Sequence, residues 1–136
     1  MSVWLMAMFA SLISFGLWGL FAKMSVLHID SKSALVYQAF GFLFVGLMTL
    51  AMIGFKLPAQ IKGSSFGFLS GVASGLGCLC FLIAADKGKI ITVVTLTALY
   101  PLITVLLSLL VLNEYINIKQ CMGIVFALVA IYFMTS

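Results

Sequence analysis

Three hydroxyl side chains and a proline recur along one apolar stretch in the last third of the chain. Thr97, Pro101, Thr104 and Ser108 follow an i, i+4, i+7, i+11 spacing, so on a helix they share one face, which Tyr100 flanks. Pro101 has no amide hydrogen, and the carbonyl of Thr97 therefore loses its helical partner. Inside a membrane, a freed carbonyl beside hydroxyl groups favours a polar cavity. The alternative is a kinked helix whose hydroxyl groups satisfy its own backbone.

The beginning of the chain carries a second face that suits a small ligand. Ser11, Ser14 and Trp18 lie at i, i+3 and i+7, and Tyr37 and Gln38 follow near the start of the next apolar stretch. Such side chains supply the aromatic walls and the few polar points that ligand pockets require. The same aromatic rings would also suit packing or the membrane interface. The predicted solute cavity is lined by Ser11, Ser14, Trp18, Tyr37, Ser74, Thr97, Tyr100, Pro101 and Thr104.

A stripe of glycines marks the third apolar stretch. Gly67, Gly71 and Gly75 lie at i, i+4 and i+8, with Ser70 and Ser74 beside them. Small residues let helix backbones approach closely in lipid, where no hydrophobic force drives association. The stripe predicts either a dimer contact or close helix packing within one protomer.

The three acidic residues all lie outside the centres of the apolar stretches. Asp30 and Asp86 fall in polar links, and Glu114 closes the fourth stretch, where a carboxylate opposes the negative end of the helix dipole. We expect Glu114 to pair with a lysine or to cap loop amides. Glu114 and Lys23, which follows the first stretch, are the candidates for a coupling or structural charge.

Neither catalysis nor metal binding is predicted. His28 is the only histidine and lies in a polar link. The sequence has no His–carboxylate pair, no nucleophile elbow and no phosphate-binding glycine loop. The odd number of cysteines argues against a disulfide framework, and all three lie in apolar stretches: Cys78, Cys80 and Cys121. We therefore expect a protein that is not an enzyme and holds no metal or cofactor.

The composition indicates that lipid is the solvent of this chain. Of its 136 residues, 65% are hydrophobic and only 7% are charged, with a mean hydropathy of +1.32. A soluble domain has roughly a quarter of its residues charged. The net charge of +4 comes from lysines spread near the ends of the apolar stretches, where they can reach the lipid head groups. No cluster suits a nucleic acid, so the bilayer itself is the expected partner.

Five stretches are apolar enough to cross a bilayer as helices, which takes about 20 residues. Their apolar residues do not alternate with polar ones, which argues against a barrel. The first stretch lacks a basic flank and is too long for a typical signal peptide, so we expect a retained helix. The sequence predicts an all-α membrane protein, a single domain over residues 1–136. Its five transmembrane helices are predicted at about 3–22, 34–54, 66–85, 90–112 and 120–135.

The orientation of this bundle is left open by its lysines. Five spans place the termini on opposite sides, with three lysines on one side and four on the other. Orientation normally follows an excess of Lys and Arg in the cytoplasmic loops. The near balance predicts dual topology, in which the chain inserts both ways round. The alternative is that a small bias or the insertion machinery selects one direction.

The residues that resemble a known family run through most of the chain. Pro101 lies in the fourth stretch, an Asn113-Glu114 step follows it, and Gly123 comes early in the fifth stretch. This pattern resembles the repeat unit of the drug/metabolite transporter superfamily in its EamA-like form. That unit typically has a proline in its fourth helix, then a Gly-Glu-like step, then a glycine early in its fifth. Asn113 stands where the family more often has glycine. The matching segments are residues 15–23, 84–102, 109–114 and 120–124, and the resemblance spans essentially the whole chain, most specifically residues 84–136.

The resemblance implies one half of an inverted-repeat transporter. Larger members of the superfamily contain two five-helix halves in opposite orientation, so this chain is expected to form an antiparallel homodimer in the inner cell membrane. It would move a small polar or amphiphilic metabolite by alternating access. The small multidrug resistance branch has an acidic residue in its first helix, which this chain lacks, and that argues against proton-coupled antiport of cationic drugs. The alternatives are a non-transporting accessory subunit and a subunit of a lipid-carrier flippase.

Overall fold

The computed structural model describes residues 3–57, 60–113 and 115–135, and these form helices with no strand. Three helices and the segment Ile90–Val111 are long and apolar enough to cross a membrane, and the last helix is shorter. The prediction of an all-α membrane protein with five helical spans is confirmed. The helices in chain order are α1 (Val3–Val26), α2 (Ser31–Met52), α3 (Ile61–Lys87), α4 (Ile90–Thr97), α5 (Tyr100–Val111) and α6 (Ile118–Thr135).

Several helices extend beyond the apolar stretches that predicted them, because capping groups rather than hydropathy end a helix. At the start of α2, the carboxylate of Asp30 accepts hydrogen bonds from the backbone amides of Lys32, at 3.1 Å, and Ser33, at 3.0 Å. Asp30 is therefore the N-cap residue, and the polar residues after it form the first turn of α2.

The C-terminal end of α2 is a Schellman motif. The amide of Phe55 donates to the carbonyl of Leu50, and the amide of Gly54 donates to that of Ala51, each at 3.0 Å. Gly54 has φ +64°, the left-handed conformation that glycine adopts without steric cost. The motif turns the chain away from α2 where the apolar stretch ends.

The predicted fourth helix is divided in two. The structure interrupts it at Ala98 and Leu99, and α5 begins at Tyr100 with Pro101 as its second residue. Because Pro101 lacks an amide hydrogen and its ring crowds the carbonyl four residues earlier, the helix cannot continue through this point. The amide of Leu99 instead donates to the carbonyl of Leu96 at 3.2 Å, a tighter turn. The expected kink is therefore a break between two short helices.

The link from α5 to α6 begins and ends with asparagine. Asn113 has φ +52° just beyond the end of α5, a position where asparagine substitutes for glycine. Asn117 precedes α6, and its side chain accepts from the amide of Lys119 at 3.4 Å while its own amide donates to the Gln120 side chain at 2.8 Å. These two bonds cap the start of α6, and the bond from the Asn117 amide to the Gln120 side chain is one half of a capping box.

The chain divides into two compact units, residues 1–87 and residues 88–136. The first contains α1, α2 and α3, and its buried residues all lie near one end. This closed end is made by the last turns of α1, the first turns of α2 and the last turns of α3. Its buried residues are Gly19, Ala22, Val26, Ser31, Ala34, Cys78, Phe81, Leu82 and Ala85. The described residues toward the opposite ends of these helices are not buried, so the unit is tightly packed at one end only.

The second unit contains α4, α5 and α6. Helix α4 packs against α6, and Thr95 of α4 is buried. None of the described residues of α5 is buried. Most large apolar side chains of both units are exposed, which suits lipid or a second protein chain as their surroundings.

Candidate functional site

A groove in the first unit holds several of the residues predicted to bind a solute. It has a volume of about 490 Å³. Helices α1 and α2 form its walls, and Leu82 of α3, which is only 1% exposed, closes it. None of the described lining residues carries a formal charge. The lining residues are Ser14, Leu17, Trp18, Phe21, Ala22, Ser25, Ala34, Tyr37, Gln38 and Leu82.

The groove extends from the closed end into the apolar length of the helices. Trp18 is two turns before the end of α1 at Val26, and Gln38 is two turns after the start of α2 at Ser31. At 1.5 Å per residue, both lie about 10–12 Å from the closed end. This distance is about a third of the thickness of a hydrocarbon core, which is roughly 30 Å.

Trp18 forms the aromatic floor of the groove. Its ring packs on Phe81 with a centroid distance of 4.7 Å and an interplanar angle of 39°. Its indole nitrogen is buried and has no hydrogen-bond partner among the described residues. A buried donor left in this state costs about 1–3 kcal/mol. The indole is therefore held in place by ring packing and not by its polar group.

Gln38 and Tyr37 bring polar groups to the wall opposite α1. Tyr37 is 67% exposed, so its ring is open to the groove and to its surroundings. The side-chain amide of Gln38 is half-buried and donates to the sulfur of Cys78 at 3.7 Å. Cys78 is 8% exposed and belongs to the buried face of α3. Sulfur is a weak acceptor, so this contact satisfies little of the amide.

Two side-chain hydrogen bonds to backbone carbonyls fasten the closed end. The ammonium of Lys23 donates to the carbonyl of Ala85, one of the last carbonyls of α3, which have no partner within their own helix. The hydroxyl of Ser31 donates to the carbonyl of Leu82 at 3.4 Å. A cation at the C-terminal end of a helix also interacts favourably with its dipole. Lys23 therefore acts here as a cap for α3.

Asp30 stabilises the same end from the loop. Hydrogen bonds from the side chain and the backbone amide of Ser33, and from the amide of Lys32, favour the ionised carboxylate. They hold the pKa of Asp30 below its usual value of 3.8, against the opposing effect of desolvation.

The second unit has a groove of its own, of about 470 Å³. Pro101 and Ser108 contribute to it, together with mostly apolar residues of α5 and α6. The hydroxyls of the proline face bond to their own helices: Thr97 donates to the carbonyl of Val93 at 2.7 Å. Thr104 donates to the carbonyl of Tyr100 at 3.4 Å, and Ser108 to that of Val105 at 2.9 Å. These bonds agree with the alternative that the hydroxyl groups satisfy their own backbone, and the role of this face in a cavity stays a prediction.

Comparison with known proteins places the chain in a family. The model of the EamA-like transporter family matches residues 2–136. The chain belongs to this family. It is also 37% identical over 67 residues to an uncharacterized protein of Methanocaldococcus jannaschii, and the matched region spans 49% of each chain. No solved structure matches. The predicted membership of the drug/metabolite transporter superfamily is confirmed, and with it a multi-pass membrane protein of a transporter family.

Only part of the predicted solute cavity comes together in this EamA-like chain. The structure brings Ser14, Trp18 and Tyr37 to the first groove. Ser11 is exposed outside it, and Ser74 is exposed on α3, one turn before Cys78. In the second unit, Pro101 lines a groove, whereas Thr97, Tyr100 and Thr104 are not among its lining residues. These residues remain candidates whose role is a prediction.

Three further lining residues follow from the spacing that marked Ser14. Leu17, Phe21 and Ser25 continue its helical face at i+3, i+7 and i+11, so the sequence contained the signal. Ser25 in particular adds a hydroxyl group near the closed end. The serine at position 14 already donates to the carbonyl of Ala10 at 2.8 Å, which leaves its oxygen as an acceptor.

The glycine stripe of α3 is not covered by the described residues. Apart from its chain neighbours and the nearby backbone of α3 itself, a Cβ placed on Gly67, Gly71 or Gly75 would meet no described atom within 4 Å. Glu114, the other charge candidate, lies outside the described residues. The described part of the chain has no group of three or more His, Cys, Asp or Glu side chains that could hold a metal ion.

Proposed function

We propose that this EamA-like protein carries a small, uncharged or zwitterionic solute across the inner cell membrane as an antiparallel homodimer. The observation that carries the proposal is the groove of the first unit. It is about 490 Å³ in volume, lies between the apolar helices α1 and α2, and is lined by apolar, aromatic and uncharged polar side chains. These are the properties of a small-molecule site. A solute with an uncompensated charge would meet no opposite charge on the described lining, and burying it would be costly.

A second copy is proposed because one chain is half of the family's inverted repeat and leaves apolar surface uncovered. The nearly balanced lysines allow both orientations, and the uncovered glycines of α3 offer a surface for close helix contact. In such a dimer each copy would contribute one groove to a shared cavity, which opens to one side and then to the other.

Two measurements test this proposal. Reporters fused at the C-terminus, one active only in the cytoplasm and one only outside, should both give strong signals. Purified protein in liposomes loaded with a mixture of neutral amino acids, amides and sugars should release specific solutes faster than protein-free liposomes, as measured by mass spectrometry. A signal from one reporter alone would contradict dual insertion. Lipid scrambling without solute release would instead support a lipid-carrier flippase, and inactivity relieved by a co-purifying membrane protein would support an accessory role.

A further inference from the structure

The amide of Gln38 is a polar group with more hydrogen-bonding capacity than its surroundings use. A primary amide offers two donor hydrogens and two acceptor lone pairs. Among the described residues it makes one hydrogen bond, to the sulfur of Cys78 at 3.7 Å. Gln38 is half-buried, is one of the residues that line the groove, and lies about 10 Å along α2 from the start of the helix. A bound solute that supplies the remaining hydrogen-bond partners would therefore add hydrogen bonds that the described residues do not make.

We propose that Gln38 determines which solutes the groove accepts, by pairing with a carboxamide or a similar planar, uncharged group. This inference rests on the proposed function and narrows its substrate class. A carboxamide can accept from the nitrogen of Gln38 and donate to its oxygen at the same time, replacing the weak sulfur contact with two stronger bonds. The aromatic rings of Trp18 and Tyr37 then contact the apolar part of the solute.

Other polar groups fit Gln38 less well. A carboxylate only accepts hydrogen bonds, so it leaves the oxygen of Gln38 unpaired, and an ammonium group only donates, so it leaves the nitrogen unpaired. Both also bring a charge to a groove whose described lining is uncharged. An alcohol donates and accepts through a single oxygen, so it cannot align well with both the nitrogen and the oxygen of Gln38. This geometry therefore predicts that the amide binds more tightly than the carboxylate, the ammonium compound or the alcohol.

The position of Trp18 allows binding to be measured directly. The chain has two tryptophans, so Trp4→Phe leaves Trp18, on the groove, as the only indole. The emission of Trp18 is titrated in nanodiscs with four probes of one carbon skeleton: isovaleramide, isoamyl alcohol, isovalerate and isoamylamine. Isovaleramide should shift the emission saturably and bind about ten-fold tighter than the other three, as one to two additional hydrogen bonds allow. Gln38→Leu should remove this preference, and Gln38→Met should do the same with an unbranched side chain.

Substitutions at Cys78 separate solute recognition from packing. Cys78→Ser supplies a stronger acceptor for the Gln38 amide and should weaken isovaleramide binding. Cys78→Ala removes the acceptor and should leave binding unchanged or tighter. A purely structural role of Gln38 predicts losses in both variants.

Each remaining outcome has a defined meaning. Equal binding of all four probes, or an unchanged amide preference in Gln38→Leu, would overturn the role of Gln38 while leaving the groove as a solute site. If none of the probes alters Trp18 emission in the folded Trp4→Phe protein, the amide specificity is overturned. The proposed transport function is tested separately, by the liposome assay.

Discussion

Replacing Lys23 with methionine tests whether the closed end of the first unit depends on a cation from another helix. Methionine keeps an unbranched apolar side chain and removes only the ammonium, which donates to the carbonyl of Ala85 across 62 residues of sequence. Ala85 is 0% exposed, so neither water nor lipid can replace that donor without movement of the helix end. A hydrogen bond from a charged group contributes about 1.5–3 kcal/mol, and the interaction with the helix dipole contributes about 0.3–1 kcal/mol. Part of this is offset by the cost of desolvating the ammonium. We therefore expect a loss of about 2 kcal/mol in the free energy of unfolding.

The control is Lys32→Met at the same end of the unit. Lys32 is exposed in the first turn of α2, where a cation gains nothing from the helix dipole, so this variant should change stability by no more than about 0.5 kcal/mol. Unfolding is followed by circular dichroism in mixed micelles with increasing denaturing detergent, and Lys23→Arg should recover part of the loss. If Lys23→Met and Lys32→Met unfold alike, the reasoning that assigns Lys23 to the end of α3 is wrong.

Three further predictions address the groove, the link before α6 and the loop before α2. Ser14→Trp fills the groove and should reduce solute release from liposomes to the protein-free level. Ser11→Trp, one turn away and outside the lining, should retain most of the release. Equal release by the two variants would argue against this groove as the route of the solute. Asn113 has φ +52°, a left-handed conformation that glycine adopts freely and valine does not. Asn113→Gly should therefore keep or raise the free energy of unfolding, and Asn113→Val should lower it by about 1–2 kcal/mol. Identical thermal unfolding of the two variants would contradict a left-handed residue at this position. The pKa of Asp30 is lowered in the folded protein, so the ionised carboxylate should stabilise the fold above about pH 4, and this stabilisation should be lost as the pH falls through the lowered pKa. Asp30→Asn should make the unfolding midpoint less dependent on acid pH. An unchanged pH profile in this variant would contradict the role of Asp30 as the N-cap.

The helical architecture could be predicted from the sequence because hydropathy over about 20 residues is a strong local signal. The ends of the helices were harder to predict from the sequence, since they depend on capping. Asp30 extends α2 into a polar link, and the apolar stretch beginning near residue 66 is preceded by helical residues from Ile61. Pro101 predicted a distortion, but its extent depends on the turn that Leu99 forms with Leu96, which no residue type specifies alone.

The candidate site was predictable along a helix but not between helices. The spacing of Ser14 and Trp18 placed them on one face, and the groove contains both. The same spacing could not show that Cys78, on another helix, lies within reach of the Gln38 amide, because that contact depends on how α2 and α3 cross. Their packing follows from small residues at the closed end, where Ala34 and Ala85 are buried and allow the helices to approach. The pairing of a glutamine with a sulfur atom is therefore a result of tertiary structure. It leaves a strong hydrogen-bonding group with a weak partner beside a solute-sized groove, and for that reason Gln38 is the first position at which substrate selectivity should be measured.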